Sequence, residues 1–152
     1  MNTPPDVARS VSIETTIEQL RYWVPTIADV ASTVEARDGQ SWLLSIEPHI
    51  ATACPVAIAL KQNGRFDISV AGETYEDCAL QSLDQLVRLL ERIVEGDVIQ
   101  RRWVSTATGV AADVETLVRL DEGVVWRSGS QPGGSAESRD RHFLPYRRTY
   151  GD

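Results

Sequence analysis

Apolar residues recur at alternating steps of four and three between Ser12 and Asp38, the spacing that keeps one stripe on one face of a helix. The stripe keeps its phase across Pro25, which favours one helix kinked at the proline over two shorter helices. Seven apolar positions at heptad spacing also fit a dimer seam, although packing on the protein's own sheet is the commoner cause. The stripe comprises Ile13, Ile17, Leu20, Val24, Ile27, Ala31 and Val34.

Alternation of apolar and polar positions then predicts strands, first over residues 42–46. Two extended runs, 55–61 and 65–71, flank Asn63-Gly64. A two-residue turn there would mix the two faces of the ribbon, whereas a three-residue loop, residues 62–64, makes one face wholly apolar. We therefore predict the three-residue loop, with Gly64 in the left-handed conformation. This register sets Leu60 opposite Phe66, Ile58 opposite Ile68 and Val56 opposite Val70.

Further along the chain, the pattern of apolar and polar residues predicts a strand over 74–78, a helix over 82–95 and a strand over 98–105. Ser82 and Gln85 have the spacing of a capping box. A second hairpin over 114–120 and 124–127 sets Leu120 opposite Val124 and Val118 opposite Trp126. The expected fold is α+β. It is an antiparallel β-sheet of about six strands with two helices packed on it, in the order α-β-β-β-(β)-α-β-β-β.

The composition changes at Ser128, where a Gly- and Ser-rich stretch begins. We expect residues 1–127 to form a single α+β domain and residues 128–152 to be a linker and a C-terminal tail. Aromatic and arginine side chains are the usual hot-spot types of protein interfaces, so the tail is a candidate partner-binding segment. A disordered end is the plainer interpretation. The candidate residues are Phe143, Tyr146, Arg147, Arg148 and Tyr150.

The formal charge of the 152-residue chain is -7, with a surplus of eight acidic residues over 1–127 and of one basic residue over 128–152. This charge disfavours binding to nucleic acid and to anionic membranes. The excess of acidic residues either keeps the protein soluble or forms a surface for a basic partner. No apolar run approaches a membrane span, and residues 1–10 do not resemble a secretory signal, so a cytoplasmic protein is expected. Lys61 is the one lysine beside 14 arginines, a bias of GC-rich genomes that indicates a bacterial source.

Catalytic chemistry has little support in the sequence. Glu47, His49 and Cys54 could supply an acid, a base and a nucleophile, but a buried structural thiol and a surface histidine explain them more simply. The predicted topology separates Cys54 from Cys78 by on the order of 20 Å, too far for a disulfide. No metal-ligand spacing and no glycine-rich phosphate loop occurs. We therefore predict no catalytic residues, no metal and no cofactor.

The leading hypothesis is a non-enzymatic protein-binding module that binds another protein or forms a homodimer. In its order of elements and its acidic charge, the chain resembles small bacterial secretion chaperones and toxin-immunity proteins. This resemblance implies a chaperone-, adaptor- or immunity-like role. The alternative is a small-molecule-binding protein or enzyme with a pocket between sheet and helices. Candidate pocket residues are Glu47, His49, Asp67, Tyr75 and Arg102.

Overall fold

The computed structural model describes residues 5–80, 82–121, 124–130 and 136–147. Within these ranges the chain forms two α-helices, one 3₁₀ helix and nine strands. The helices are α1 (Pro5–Trp23), the 3₁₀ helix (Val24–Ile27) and α2 (Gln85–Val94). The strands are β1 (Ala31–Asp38), β2 (Ser41–Pro48), β3 (Val56–Leu60), β4 (Phe66–Val70), β5 (Glu73–Cys78), β6 (Val98–Ser105), β7 (Ala111–Asp121), β8 (Val124–Gly129) and β9 (Ala136–His142).

The strands form two antiparallel sheets. The first is a meander in the order β1-β2-β3-β4-β5, and the second has the order β8-β7-β6-β9. The α+β architecture is as predicted, but the single sheet of about six strands is wrong. Two of the nine strands, β1 and β9, come from segments expected to be helix and tail. No described helix is both long enough and apolar enough to cross a lipid bilayer.

The predicted helix over residues 12–38 is wrong beyond Trp23. The 3₁₀ helix that follows contains Pro25 near its start, and proline prevents the regular helical hydrogen bond at that point. β1 then pairs with β2 from Ala31 opposite Pro48 to Asp38 opposite Ser41. Ser32, Thr33 and Val34 are weak helix formers. The hydrogen bonds to β2 therefore outweigh the helical spacing of apolar residues, which continues past Pro25 by coincidence.

The β3–β4 hairpin confirms the register predicted from face matching. Val56 lies opposite Val70, Ile58 opposite Ile68 and Leu60 opposite Phe66. Gly64 has a φ of +83°, the left-handed conformation that a three-residue loop requires. One face of this ribbon is consequently apolar throughout.

The second hairpin follows its predicted register only in part. Val118 lies opposite Trp126 as expected, but Asp121 rather than Leu120 lies opposite Val124. The register shifts between Arg119 and Asp121, and a bulge of this kind adds a residue that simple alternation cannot reveal.

The predicted capping box at α2 does not form. The N-cap residue is Asp84, which makes no side-chain cap bond. Ser82 Oγ instead accepts a hydrogen bond from the backbone N–H of Asp84 at 3.3 Å. The amphipathic pattern nevertheless sets the orientation of the helix, because its apolar face is fully buried. That face consists of Leu86, Leu89, Leu90 and Ile93.

The first sheet, the second sheet and both helices share one apolar core. Hydrogen bonds also join the two sheets at a polar seam. Gln100 Nε2 donates to the Val70 carbonyl at 2.6 Å, and the hydroxyls of Tyr75 and Thr116 are 2.7 Å apart. Because a buried polar group is costly without a partner, the seam favours one alignment of the sheets.

Residues 143–147, the C-terminal strap, follow β9, which pairs with β6. The Tyr146 N–H donates to the Val94 carbonyl at 2.8 Å, and the Leu144 N–H donates to the Thr52 carbonyl at 3.0 Å. The Tyr146 hydroxyl donates to the Cys54 carbonyl. The strap therefore joins the end of α2 to the loop between β2 and β3.

We expect Tyr146→Phe to lower the free energy of unfolding by about 1–3 kcal/mol, because the buried Cys54 carbonyl would lose its hydroxyl partner. Urea denaturation of the two proteins measures this difference. Arg147→Ala is the matched control, since its ion pair with Asp29 is 60% exposed on both sides and should matter less. Equal losses in the two variants would contradict the stabilising role of the buried hydroxyl.

Candidate functional site: the groove between the two helices

The five candidate pocket residues do not form one site. Glu47 lies on β2 opposite Ser32, and His49 Nε2 is 3.5 Å from Ser32 Oγ, so Glu47 and His49 lie at the same end of the first sheet. Asp67 lies in the cross-strand row of Leu43, four residues from Glu47 along β2. At about 3.3 Å per residue, this places Asp67 near the other end of the sheet.

The remaining two candidates lie at the seam between the sheets. Tyr75 contacts Thr116 through its hydroxyl, and Arg102 Nη2 is 3.5 Å from Glu73 Oε1. Burial raises the pKa of the Tyr75 hydroxyl above its ordinary value. The five side chains thus occupy three separate places.

Cys54 has the environment of a structural thiol. It is fully buried and unpaired with Cys78, and its Sγ lies 3.6 Å from the Pro55 carbonyl oxygen. Burial raises the pKa of the thiol to about 12, so the nucleophilic thiolate is scarce near neutral pH. In the described ranges, no three His, Cys, Asp or Glu residues are grouped as metal ligands.

The tail residues predicted to bind a partner have different positions. Phe143 and Tyr146 are 5% and 2% exposed and belong to the core. These two side chains therefore pack inside their own chain. Arg147 forms an ion pair with Asp29. Arg148 and Tyr150 lie outside the described residues.

An open groove with a mostly apolar lining surface lies between α1 and α2. α1 has two stripes: Ile13, Ile17 and Leu20 enter the core, and a second stripe faces the groove. The groove has a volume of about 490 Å³. Its lining consists of Thr15, Glu18, Gln19, Tyr22, Trp23 and Thr26 from the α1 side, and of Val87 and Glu91 from α2.

The groove combines apolar surface with acidic rims. Trp23 belongs to the core and the partly buried Val87 packs against it, while Tyr22 is 86% exposed. Glu18 makes no ion pair within 4 Å among the described residues, and Glu91 is 3.4 Å from Arg88. A large exposed aromatic side chain beside the carboxylates of Glu18 and Glu91 is a surface suited to a basic, amphipathic partner.

A charged cluster holds α1 against the first sheet and so positions one wall of the groove. Glu35 Oε1, on β1, accepts hydrogen bonds from Arg21 Nε at 2.8 Å and from Trp42 Nε1 at 2.7 Å. The Arg21 hydrogen bond, followed by that of Trp42, lowers the pKa of the Glu35 carboxyl. Arg21 directly precedes Tyr22, so this cluster fixes the helical turn that bears the exposed aromatic ring.

Comparisons with known proteins give no relationship: no protein-family model, no curated protein and no solved structure matches the chain. The geometry of the groove must therefore support any functional interpretation without analogy.

Sequence reasoning missed this groove. The available signal was Tyr22, an aromatic residue outside the buried stripe of the first helix. Periodicity shows that such a residue faces away from the core, but not which second helix lies beside it. The groove depends on the packing of α1 beside α2, two helices that about sixty residues of chain separate.

We expect Glu35→Gln to destabilise the protein at neutral pH, because the amide loses the charge-assisted hydrogen bonds from Arg21. The lowered pKa of Glu35 means that its contribution is complete above pH 4.5, the ordinary value for glutamate, and disappears as the pH falls through the lowered value. Urea denaturation of both proteins from pH 7 downward should show the two stabilities converging. Asp38→Asn, on the same strand, is the control for the loss of one charge. A wild-type protein that stays more stable than Glu35→Gln at the lowest pH would contradict the role of the ionised Glu35 carboxylate.

Proposed function

We propose that this protein is a non-enzymatic protein-binding module, of the chaperone, adaptor or immunity kind, that binds a basic amphipathic helix in the groove between α1 and α2. The observation that carries the proposal is the 86% exposed Tyr22 in an apolar groove whose rims bear Glu18 and Glu91. The charge of -7 on the whole chain would attract such a partner from a distance.

The dimensions of the groove favour a helical partner. The wall formed by α1 and the 3₁₀ helix runs from Thr15 to Thr26, which at about 1.5 Å per residue is about 16 Å, or three helical turns. A partner helix of this length presents apolar anchors at positions i, i+3 or i+4, and i+7. Its basic side chains would then flank the anchors and meet the carboxylates of Glu18 and Glu91.

The alternative, a small-molecule site built from Glu47, His49, Asp67, Tyr75 and Arg102, has less support because these side chains lie in three separate places. A cytoplasmic setting remains a prediction, and the two free, buried thiols of Cys54 and Cys78 are compatible with a reducing compartment.

We expect a synthetic amphipathic peptide of three to four helical turns, with leucines on one face and lysines beside them, to bind the full chain. The double variant Glu18→Lys/Glu91→Lys should weaken binding about tenfold or more, since each reversed contact at about 4 Å costs about 1 kcal/mol even in water. Tyr22→Ala should also weaken binding. Fluorescence anisotropy of the labelled peptide measures the affinities, which should fall as salt rises.

The matched control is Glu76→Lys/Glu137→Lys, which changes the net charge equally at exposed positions on β5 and β9. A peptide with glutamates in place of the lysines tests the sign of the charge. If both double variants bind the lysine peptide with the same affinity, attraction is nonspecific and the groove is not the site. An unchanged affinity in Tyr22→Ala would also count against the proposal.

A further inference from the structure

β1 is the outermost strand of the first sheet and is unusually regular for an edge. Its eight residues pair with β2 without a bulge, and it contains no proline. Its side chains are exposed from Val34 onward, and Val34 itself is 64% exposed. A long, regular edge strand offers unpaired N–H and C=O groups to another strand.

The other described edges carry features that hinder such pairing. β5 contains Asp77 at a φ of +56° and has an irregular ladder with β4. β8 ends at Gly129, with a φ of +112°, and its ladder with β7 also contains a register shift. β9 is dominated by charged side chains. Among these edges, β1 is therefore the one best suited to pair with another strand.

The hairpin loop determines which β1 groups point outward. β1 and β2 are joined by the two-residue loop Gly39-Gln40, with Asp38 opposite Ser41. A loop of this length closes on a hydrogen-bonded pair, and hydrogen-bonded and non-hydrogen-bonded pairs then alternate along the ladder. The outward N–H and C=O groups therefore belong to alternate residues. These are Ala31, Thr33, Glu35 and Arg37.

We propose that β1 pairs antiparallel with β1 of a second copy of this chain, about a two-fold axis at Val34, to form a continuous ten-stranded sheet. A two-fold axis perpendicular to the sheet keeps each face intact, so it must pass through a residue position. With the axis at Val34, Thr33 of each copy lies opposite Glu35 of the other, in two hydrogen-bonded pairs. Ala31 is 3% exposed, so its own chain covers that end of β1 and the paired segment begins at Ser32.

The charges of β1 and the length of the overlap favour this register over the two adjacent ones. An axis at Glu35 would oppose two carboxylates, which is destabilising. Because the accessible part of β1 begins at Ser32, an axis at Thr33 would shorten the overlap to residues 32–34, against 32–36 for the axis at Val34. Only small or apolar side chains then meet on the open face, where Val34 faces the partner's Val34 and Ser32 faces the partner's Ala36. The exposed valine is covered by its own copy.

This dimer differs from the one that the sequence pattern suggests, which is a helical seam over residues 12–38. It involves part of the same segment but uses backbone hydrogen bonds of β1. The interaction is independent of the groove between α1 and α2, so either proposal can fail without the other.

Val34→Cys tests the axis directly. In the proposed dimer, the two Val34 Cα atoms form a non-hydrogen-bonded pair about 4.5 Å apart, within the range that a disulfide spans. We expect this variant to oxidise in air to a covalent dimer on a non-reducing gel. Ala36→Cys, exposed on the same face, is the matched control because it would face Ser32 of the other copy. The native Cys54 and Cys78 are buried.

Sedimentation equilibrium provides the second measurement. The wild-type chain should be dimeric, and Val34→Lys should be monomeric because two ammonium groups would be opposed at the axis. Val125→Lys, at a 47% exposed valine of β8, should remain dimeric. A wild-type monomer at the highest soluble concentration, equal cross-linking of the two cysteine variants, or a dimer that survives Val34→Lys would each overturn the proposal.

Discussion

The inward face of the first sheet is the constraint on which the rest of the structure depends. Three adjacent strands direct only large apolar side chains to this side, and leaving each one in water would cost about 1.5–3 kcal/mol. α1, α2 and the second sheet cover them in one continuous core. Because two helices share this task, they lie side by side, and the groove between them follows. The face comprises Trp42, Leu44, Ile46, Val56, Ile58, Leu60, Phe66, Ile68 and Val70.

Apolar burial has no direction, so polar contacts are needed to select one arrangement of these elements. Gln100 and Tyr75 align the second sheet on the first, and Glu35 connects α1 to the sheet through Arg21. Gln100 Oε1 is buried without a partner in the described part of the chain, which is a cost. The short bond of Gln100 Nε2 to Val70 offsets part of that cost and holds the amide in one orientation.

The aromatic residues of the chain show why composition alone does not locate a binding surface. Phe143 and Tyr146 have the character of interface residues, yet both complete the core of their own chain. Tyr22, which no motif singles out, is exposed beside Glu18 in the groove. Aromatic side chains stabilise any dry contact, so only their surroundings distinguish an internal strap from an exposed surface.

Local patterns in the sequence determined the β3–β4 register, Gly64 in its turn and the buried face of α2, because adjacent segments meet with few alternatives. Tertiary structure alone decided that residues 31–38 form a strand, since their helical phase has to compete with a complete ladder to β2. It also decided the pairing of β9 with β6 and the position of the groove, which join segments far apart in the chain. Such contacts depend on which surfaces remain uncovered after the local elements form. The periodicity of the sequence does not indicate which surfaces these are.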